Sequence, residues 1–95
     1  MLHILFNSPY QISLNSLKIF SQSSDEIICL QDGVILGIKK KILDINFLDF
    51  FHKVYCLEED LKARGLFKFV IRKVCIINFL GFVKLTEKHK INMTW

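Results

Sequence analysis

Four short apolar runs constrain this chain more than any other feature: Leu2–Phe6, Ile27–Gln31, Lys53–Leu57 and Lys73–Asn78. They contain Ile, Leu, Val, Tyr and Cys with little alternation of apolar and polar residues. A strand with one wet face alternates, whereas a strand covered on both faces does not. The runs therefore suit a parallel sheet packed on both sides.

Helical segments sit between them. Ser8-Pro9-Tyr10-Gln11 carries the marks of a helix start. Ser8 is placed to cap, Pro9 to occupy the first turn and Gln11 to reach back to the cap. Tyr10, Leu14 and Leu17 then fall on one face at helical spacing, with Phe20 beside them. Residues 58–65 predict a second helix, with Glu58, Glu59 and Asp60 at its positive end, Arg64 at its negative end and Gly65 as the stop. Residues 82–89 predict a third. Asp44 to Phe51 fits a helix with Phe47, Leu48 and Phe51 on one face, and Phe67 to Ile71 fits a short fifth strand or an extended edge. Strand and helix in alternation give an α/β layer sandwich with right-handed crossovers.

Ninety-five residues allow one domain, 1–95, with no linker and no internal repeat. A domain of this size buries roughly 60–70% of its unfolded surface. Yet 52% of its residues are hydrophobic, and the mean hydropathy is +0.35. The surplus must lie at a surface, and large exposed apolar patches mark partner interfaces. No membrane segment is expected: Val74 to Val83 is about half a spanning length and is interrupted by Asn78 and Gly81. No basic region or cleavage site opens the chain, so the expected compartment is the cytoplasm. Three cysteines without close spacing fit a reducing compartment better than a disulfide framework.

The net charge of +4 permits contact with nucleic acid or an acidic partner without demanding either. Lys39-Lys40-Lys41 is the densest basic cluster, but no aromatic residue interleaves with it, so a solvated loop is the expectation.

In open parallel sheets, sites form at the carboxyl ends of strands. Gln31-Asp32-Gly33 there reads as a turn, with the glycine free to take positive φ. No Gly-rich phosphate loop follows any strand, so no nucleotide cofactor is expected. His3, His52 and His89 lack metal-ligand spacing, and no metal is expected. His3 reads as a satisfied core or interface residue. A sulfur-accepting cysteine needs an accessible thiolate near positive charge. Cys29 and Cys75 lie inside apolar runs and read as buried. Cys56 is nearest a strand end, but Glu58, Glu59 and Asp60 follow it and disfavour a thiolate. No catalytic residue is assigned; Cys56 is the weak alternative. Trp95 reads as an anchor for a segment that would otherwise fray.

Several stretches together resemble the TusB/DsrH family of sulfur-relay subunits. They are Met1-Leu-His-Ile-Leu-Phe-Asn-Ser-Pro9, Leu30-Gln-Asp-Gly-Val34, Glu59-Asp-Leu-Lys-Ala-Arg-Gly-Leu66 and Phe82-Val-Lys-Leu-Thr-Glu-Lys-His89 closed by Trp95. Residues 35–51 match poorly. The resemblance implies a small three-layer α/β sandwich with a mainly parallel central sheet, of the DsrE/F/H-like kind. It implies TusC-like and TusD-like partners in a dimer of heterotrimers. That assembly relays persulfide sulfur between carrier proteins for 2-thiolation of the tRNA wobble uridine, and its active cysteine lies in the TusD-type chain. DsrH-type members can carry a cysteine near the first helix, where this chain has Phe20 and serines. The resemblance therefore implies a non-catalytic structural subunit that is not an enzyme by itself, without direct tRNA contact. The alternative is a sulfurtransferase carrying persulfide on Cys56. Gly81 departs from the polar capping residue expected at the last helix start.

Overall fold

The structure is a computed structural model, and it describes residues 1–38 and 45–95. Lys39–Lys41 and Asp44 lie outside the described residues. Five strands form one sheet in the order β4-β3-β2-β1-β5, every pairing parallel. They are β1 (Leu2–Leu5), β2 (Glu26–Cys29), β3 (Lys53–Leu57), β4 (Cys75–Ile77) and β5 (Asn92–Thr94). The helices are α1 (Leu14–Ile19), α2 (Ile45–Phe50), α3 (Glu58–Ala63) and α4 (Phe79–Lys88), with 3₁₀ turns at Gln31–Gly37 and Phe67–Phe69.

Side chains alternate through the sheet into two apolar clusters. One face sends Leu5, Ile27, Cys29, Val54 and Cys56 against Leu17 of α1, Phe47, Leu48 and Phe51 around α2, and Leu61 of α3. The other face sends Leu2, Ile4, Ile28 and Leu57 against Leu85 of α4. This is the expected three-layer arrangement. Every residue of β1 and β2 is buried, which explains why those runs show no polar alternation. Each fully buried Leu or Ile there contributes roughly 1.5–3 kcal/mol relative to exposure.

The edges depart from expectation. Cys75, read as buried, is exposed, because β4 is the outer strand of the sheet, with no neighbour beyond it among the described residues. The fifth strand is Asn92–Thr94 rather than Phe67–Ile71. It pairs with β1 and is extended at both ends by Leu2 N–H to Ile91 O (3.0 Å) and Trp95 N–H to Ile4 O (2.8 Å). Phe67–Phe69 forms a 3₁₀ turn, and Val70 makes an isolated antiparallel bridge to Ile38.

Helix starts also move. Ser8 opens a turn closed by Gln11 N–H to Ser8 O at 2.9 Å, and α1 begins at Leu14, with Ser13 as its cap. The Ser13 hydroxyl accepts from Ser16 N–H at 3.1 Å. Pro9 suits the second position of a turn as well as it suits a first helical turn, so the local pattern had two solutions. α4 begins at Phe79, and Asn78 supplies the cap, its side chain accepting from Gly81 N–H at 2.9 Å. The polar cap thus sits three residues before Gly81.

At the end of β2, Gln31 rather than Gly33 takes positive φ, at 51°. Gly33 is required for closeness: a Cβ there would stand 2.1 Å from the Leu5 carbonyl oxygen. Gly65 has the left-handed conformation, φ 67°, with open space around it. Gly33→Ala should therefore cost at least ~3 kcal/mol by forcing two backbones apart. Gly65→Ala should cost about 1 kcal/mol through conformation alone. Urea unfolding of the two variants tests the ordering; equal costs would contradict the close approach.

Candidate functional site

Three strands end in apolar residues at the carboxyl edge of the sheet: Phe6 follows β1, Leu30 follows β2, and Leu57 closes β3. With Gln31, Asp60, Phe79 and Phe82 they line an open depression of about 220 Å³. Its backbone is held by carboxylates. Asp60 accepts Gln31 N–H at 2.6 Å, and Glu59 accepts Phe79 N–H at 3.1 Å, at the first residue of α4. Arg64 bridges Asp32 (3.2 Å) and Asp60 (3.6 Å). Asp32 is therefore a surface ion-pair partner beside the turn.

The thiols lie elsewhere. Cys29 and Cys56 are opposite each other in register on β2 and β3, and both are fully buried. Hydrogen bonding to the Cys56 thiol, together with burial, pushes the Cys29 thiol well above its ordinary value. The Cys56 sulfur lies 4.0 Å from the Val34 carbonyl, and a Cβ on Gly37 would come within 2.6 Å of it. An additional sulfur atom on Cys56 has no room without movement of the Gln31–Gly37 segment. Cys75, the exposed thiol, sits on the outer strand.

The amino end of the sheet holds two polar clusters that sequence reasoning missed. His3 is fully buried. Its Nδ1 accepts from the Trp95 indole N–H at 3.0 Å, and an indole can only donate. The ring's proton must therefore sit on Nε2, which faces Asp25 Oδ2 and Ser21 Oγ, each at 3.0 Å. The Ser21 hydroxyl donates to Leu17 O, so it accepts from the ring. Asp25 also accepts from the Met1 amine (3.1 Å) and Gln22 N–H (3.0 Å). Ser, His and Asp meet here, but serine and aspartate share one ring nitrogen. A proton cannot pass from serine through the ring to aspartate, so the group does not form a nucleophile relay. It ties β1, β2 and the residue following β5 together.

Glu26 forms the second cluster. It is buried, and its Oε1 accepts from His89 (2.7 Å) and Lys88 (3.4 Å) while Tyr55 donates to Oε2 (3.3 Å). Burial and the nearby Glu26 carboxylate push the Tyr55 hydroxyl up to about 12. His89, at the end of α4, thus has a specific carboxylate partner. The sequence marked His3 as a satisfied core residue and Trp95 as an anchor, but beyond the acidic pair Asp25-Glu26 ahead of an apolar run it carried no signal for their partners.

Burial raises both carboxyl pKa values, but the hydrogen bonds outweigh it. For Asp25 these come from Gln22 N–H, His3 and the Met1 amine; for Glu26, from His89 and Lys88. Each is held below its ordinary value.

This is a small parallel α/β sandwich whose polar groups lock its amino end and whose carboxyl end is an apolar depression with carboxylates around it. The family model described as DsrH like protein matches residues 7–92, and the chain belongs to that family. It is similar over the whole of both chains to Protein TusB of Buchnera aphidicola subsp. Acyrthosiphon pisum (strain 5A), at 38% identity. Protein TusB of Serratia proteamaculans (strain 568) matches at 37%, and that of Escherichia coli (strain K12 / DH10B) at 36%, again over the full length of both. Among solved structures, the ychN protein from E. coli superposes with a TM-score of 0.77 at 17% identity, covering 99% of this chain and 97% of that one, a likeness of fold alone. Protein Tm0979 from Thermotoga maritima gives 0.65 at 26% identity, with 95% of each chain covered. Among the described residues no helix is long and apolar enough to cross a membrane.

Two outcomes are expected. Trp95→Phe leaves the buried His3 acceptor without its donor and should cost about 1–3 kcal/mol in urea unfolding, whereas Phe20→Ala, which loses only a ring contact, should cost under ~1 kcal/mol. The depressed Asp25 and Glu26 values mean the unfolded chain takes up protons first as pH falls. Their contribution is full above the ordinary values of 3.8 and 4.5 and drains as pH drops below them. Glu26→Gln should flatten the loss of stability between about pH 5 and pH 3; an unchanged slope would remove Glu26 from the account.

Proposed function

We propose that this chain is a non-catalytic, structural subunit of a TusBCD-like sulfur-transfer complex. The complex relays persulfide sulfur for 2-thiolation of the tRNA wobble uridine. The observation that carries the reading is full-length similarity to proteins named TusB within the DsrH-like family. TusC-like and TusD-like chains are the expected partners, in a dimer of heterotrimers in the cytoplasm, and sulfur carriers are met through the complex rather than by this chain alone.

Two structural facts support the non-catalytic part for Cys29 and Cys56, though not for the exposed Cys75. Cys29 and Cys56 have no exposed surface, and Gly37 packs directly on the Cys56 sulfur. A relay cysteine must be reached by a second protein's thiol or persulfide, so an enclosed thiol is poorly suited. The assembly part is supported by apolar exposure at Ile19 (79%), Phe20 (61%) and Ile91 (61%), more than a chain with no partner needs to leave wet.

Removing the gene should abolish wobble 2-thiouridine. A variant with all three cysteines replaced by serine or alanine should restore it to near-normal levels, measured by mass spectrometry of digested tRNA. Complete loss with a folded cysteine-free chain would transfer the sulfur-accepting role to this subunit, with Cys56 as the alternative acceptor. Native mass spectrometry of the chain co-expressed with its TusC- and TusD-like partners should give one species with two copies of each. A persistent monomer would refute the assembly.

A further inference from the structure

The depression at the carboxyl end of the sheet has no part in the relay reading. We propose that it docks a short segment of another protein, one large apolar side chain flanked by lysine or arginine. At about 220 Å³ it is smaller than the roughly 300–1,000 Å³ of small-molecule sites, which fits a side chain better than a cofactor. Its floor is apolar, from Phe6, Leu30, Leu57 and Phe82. Phe79, the first residue of α4, stands at its wall with 58% of its surface exposed.

The rim determines the charge of the occupant. Asp60 lines the depression, Glu59 is bonded to the Phe79 N–H, and Asp32 joins through Arg64. Three carboxylates stand against one guanidinium in a chain whose net charge is +4. The Asp32 side chain remains 60% exposed. Such a rim attracts a cationic segment and repels nucleic acid phosphates. The rim is also set in advance. Gln31 is held at a φ of 51°, a conformation costly for a residue with a side chain, by its N–H on Asp60. A fixed rim lowers the ordering cost of docking.

The test is a titration of the full chain, followed by amide NMR, with the peptides acetyl-Lys-Phe-Leu-Lys-amide and acetyl-Glu-Phe-Leu-Glu-amide. It needs no relay partner, so its result is separate from that of the relay reading. The basic peptide should shift the amides of Gly33, Phe79 and Phe82 and should weaken as salt is raised. The acidic peptide should bind at least roughly tenfold more weakly. Phe79→Ala removes an exposed ring and leaves the core intact; it should weaken the basic peptide by roughly fivefold or more. Asp32→Asn should weaken it and reduce the salt dependence. The proposal is overturned by an absence of shifts at millimolar basic peptide, by equal binding of the acidic peptide, or by a Phe79→Ala variant that binds as the parent does.

Discussion

A parallel sheet covered on both faces leaves no place for polar side chains except its two ends. That constraint organises the molecule. β1 and β2 are buried along their whole length, so His3 and Glu26, which lie inside them, had to be satisfied internally. Among the described residues no buried side-chain nitrogen or oxygen lacks a partner. An unpaired group in such a place costs about 1–3 kcal/mol, a large share of the stability of a small domain. The His3 and Glu26 clusters are what permits polar residues in the middle strands.

These clusters also explain how a weak edge strand stays in place. β5 is three residues long and exposed throughout. Its ladder to β1 is short, but Trp95 just beyond it is fixed through His3, and His89 and Lys88 just before it are fixed through Glu26. The strand is held at both flanks by buried polar groups on β1 and β2. With the amino end closed in this way, the carboxyl end is left as the accessible end. There the connecting segments lie against the sheet, and the apolar surface is edged with carboxylates.

The same packing bears on sulfur chemistry. The register of β2 and β3 places Cys29 and Cys56 side by side in the apolar layer, beneath the Gln31–Gly37 segment. For Cys29, burial favours the neutral thiol over the thiolate a sulfur acceptor needs. In the proposed assembly, this chain's contribution is shape and surface, and a partner's cysteine carries the sulfur.

The sequence by itself determined the layered α/β class, the positions of the inner strands and the helix over 58–63. Apolar runs without alternation and a charge-ordered helix are local signals, set by the chain's own period and dipole. It also set Phe47, Leu48 and Phe51 on one face, which the structure buries, and read Cys29 as enclosed. Only tertiary structure decided which strands were edges. Cys75 sits in as apolar a run as Cys29, and its exposure follows from the place of β4 at the edge of the sheet. The fifth strand was illegible because Asn92-Met93-Thr94 has no apolar pattern, and its place comes from pairing with β1 and from the Trp95 contact. The need for glycine at 33 came from the approach of another strand's carbonyl, a distance between segments far apart in sequence. The His3 and Glu26 clusters were hidden for the same reason. Their partners lie up to 92 residues away, and no local spacing records them.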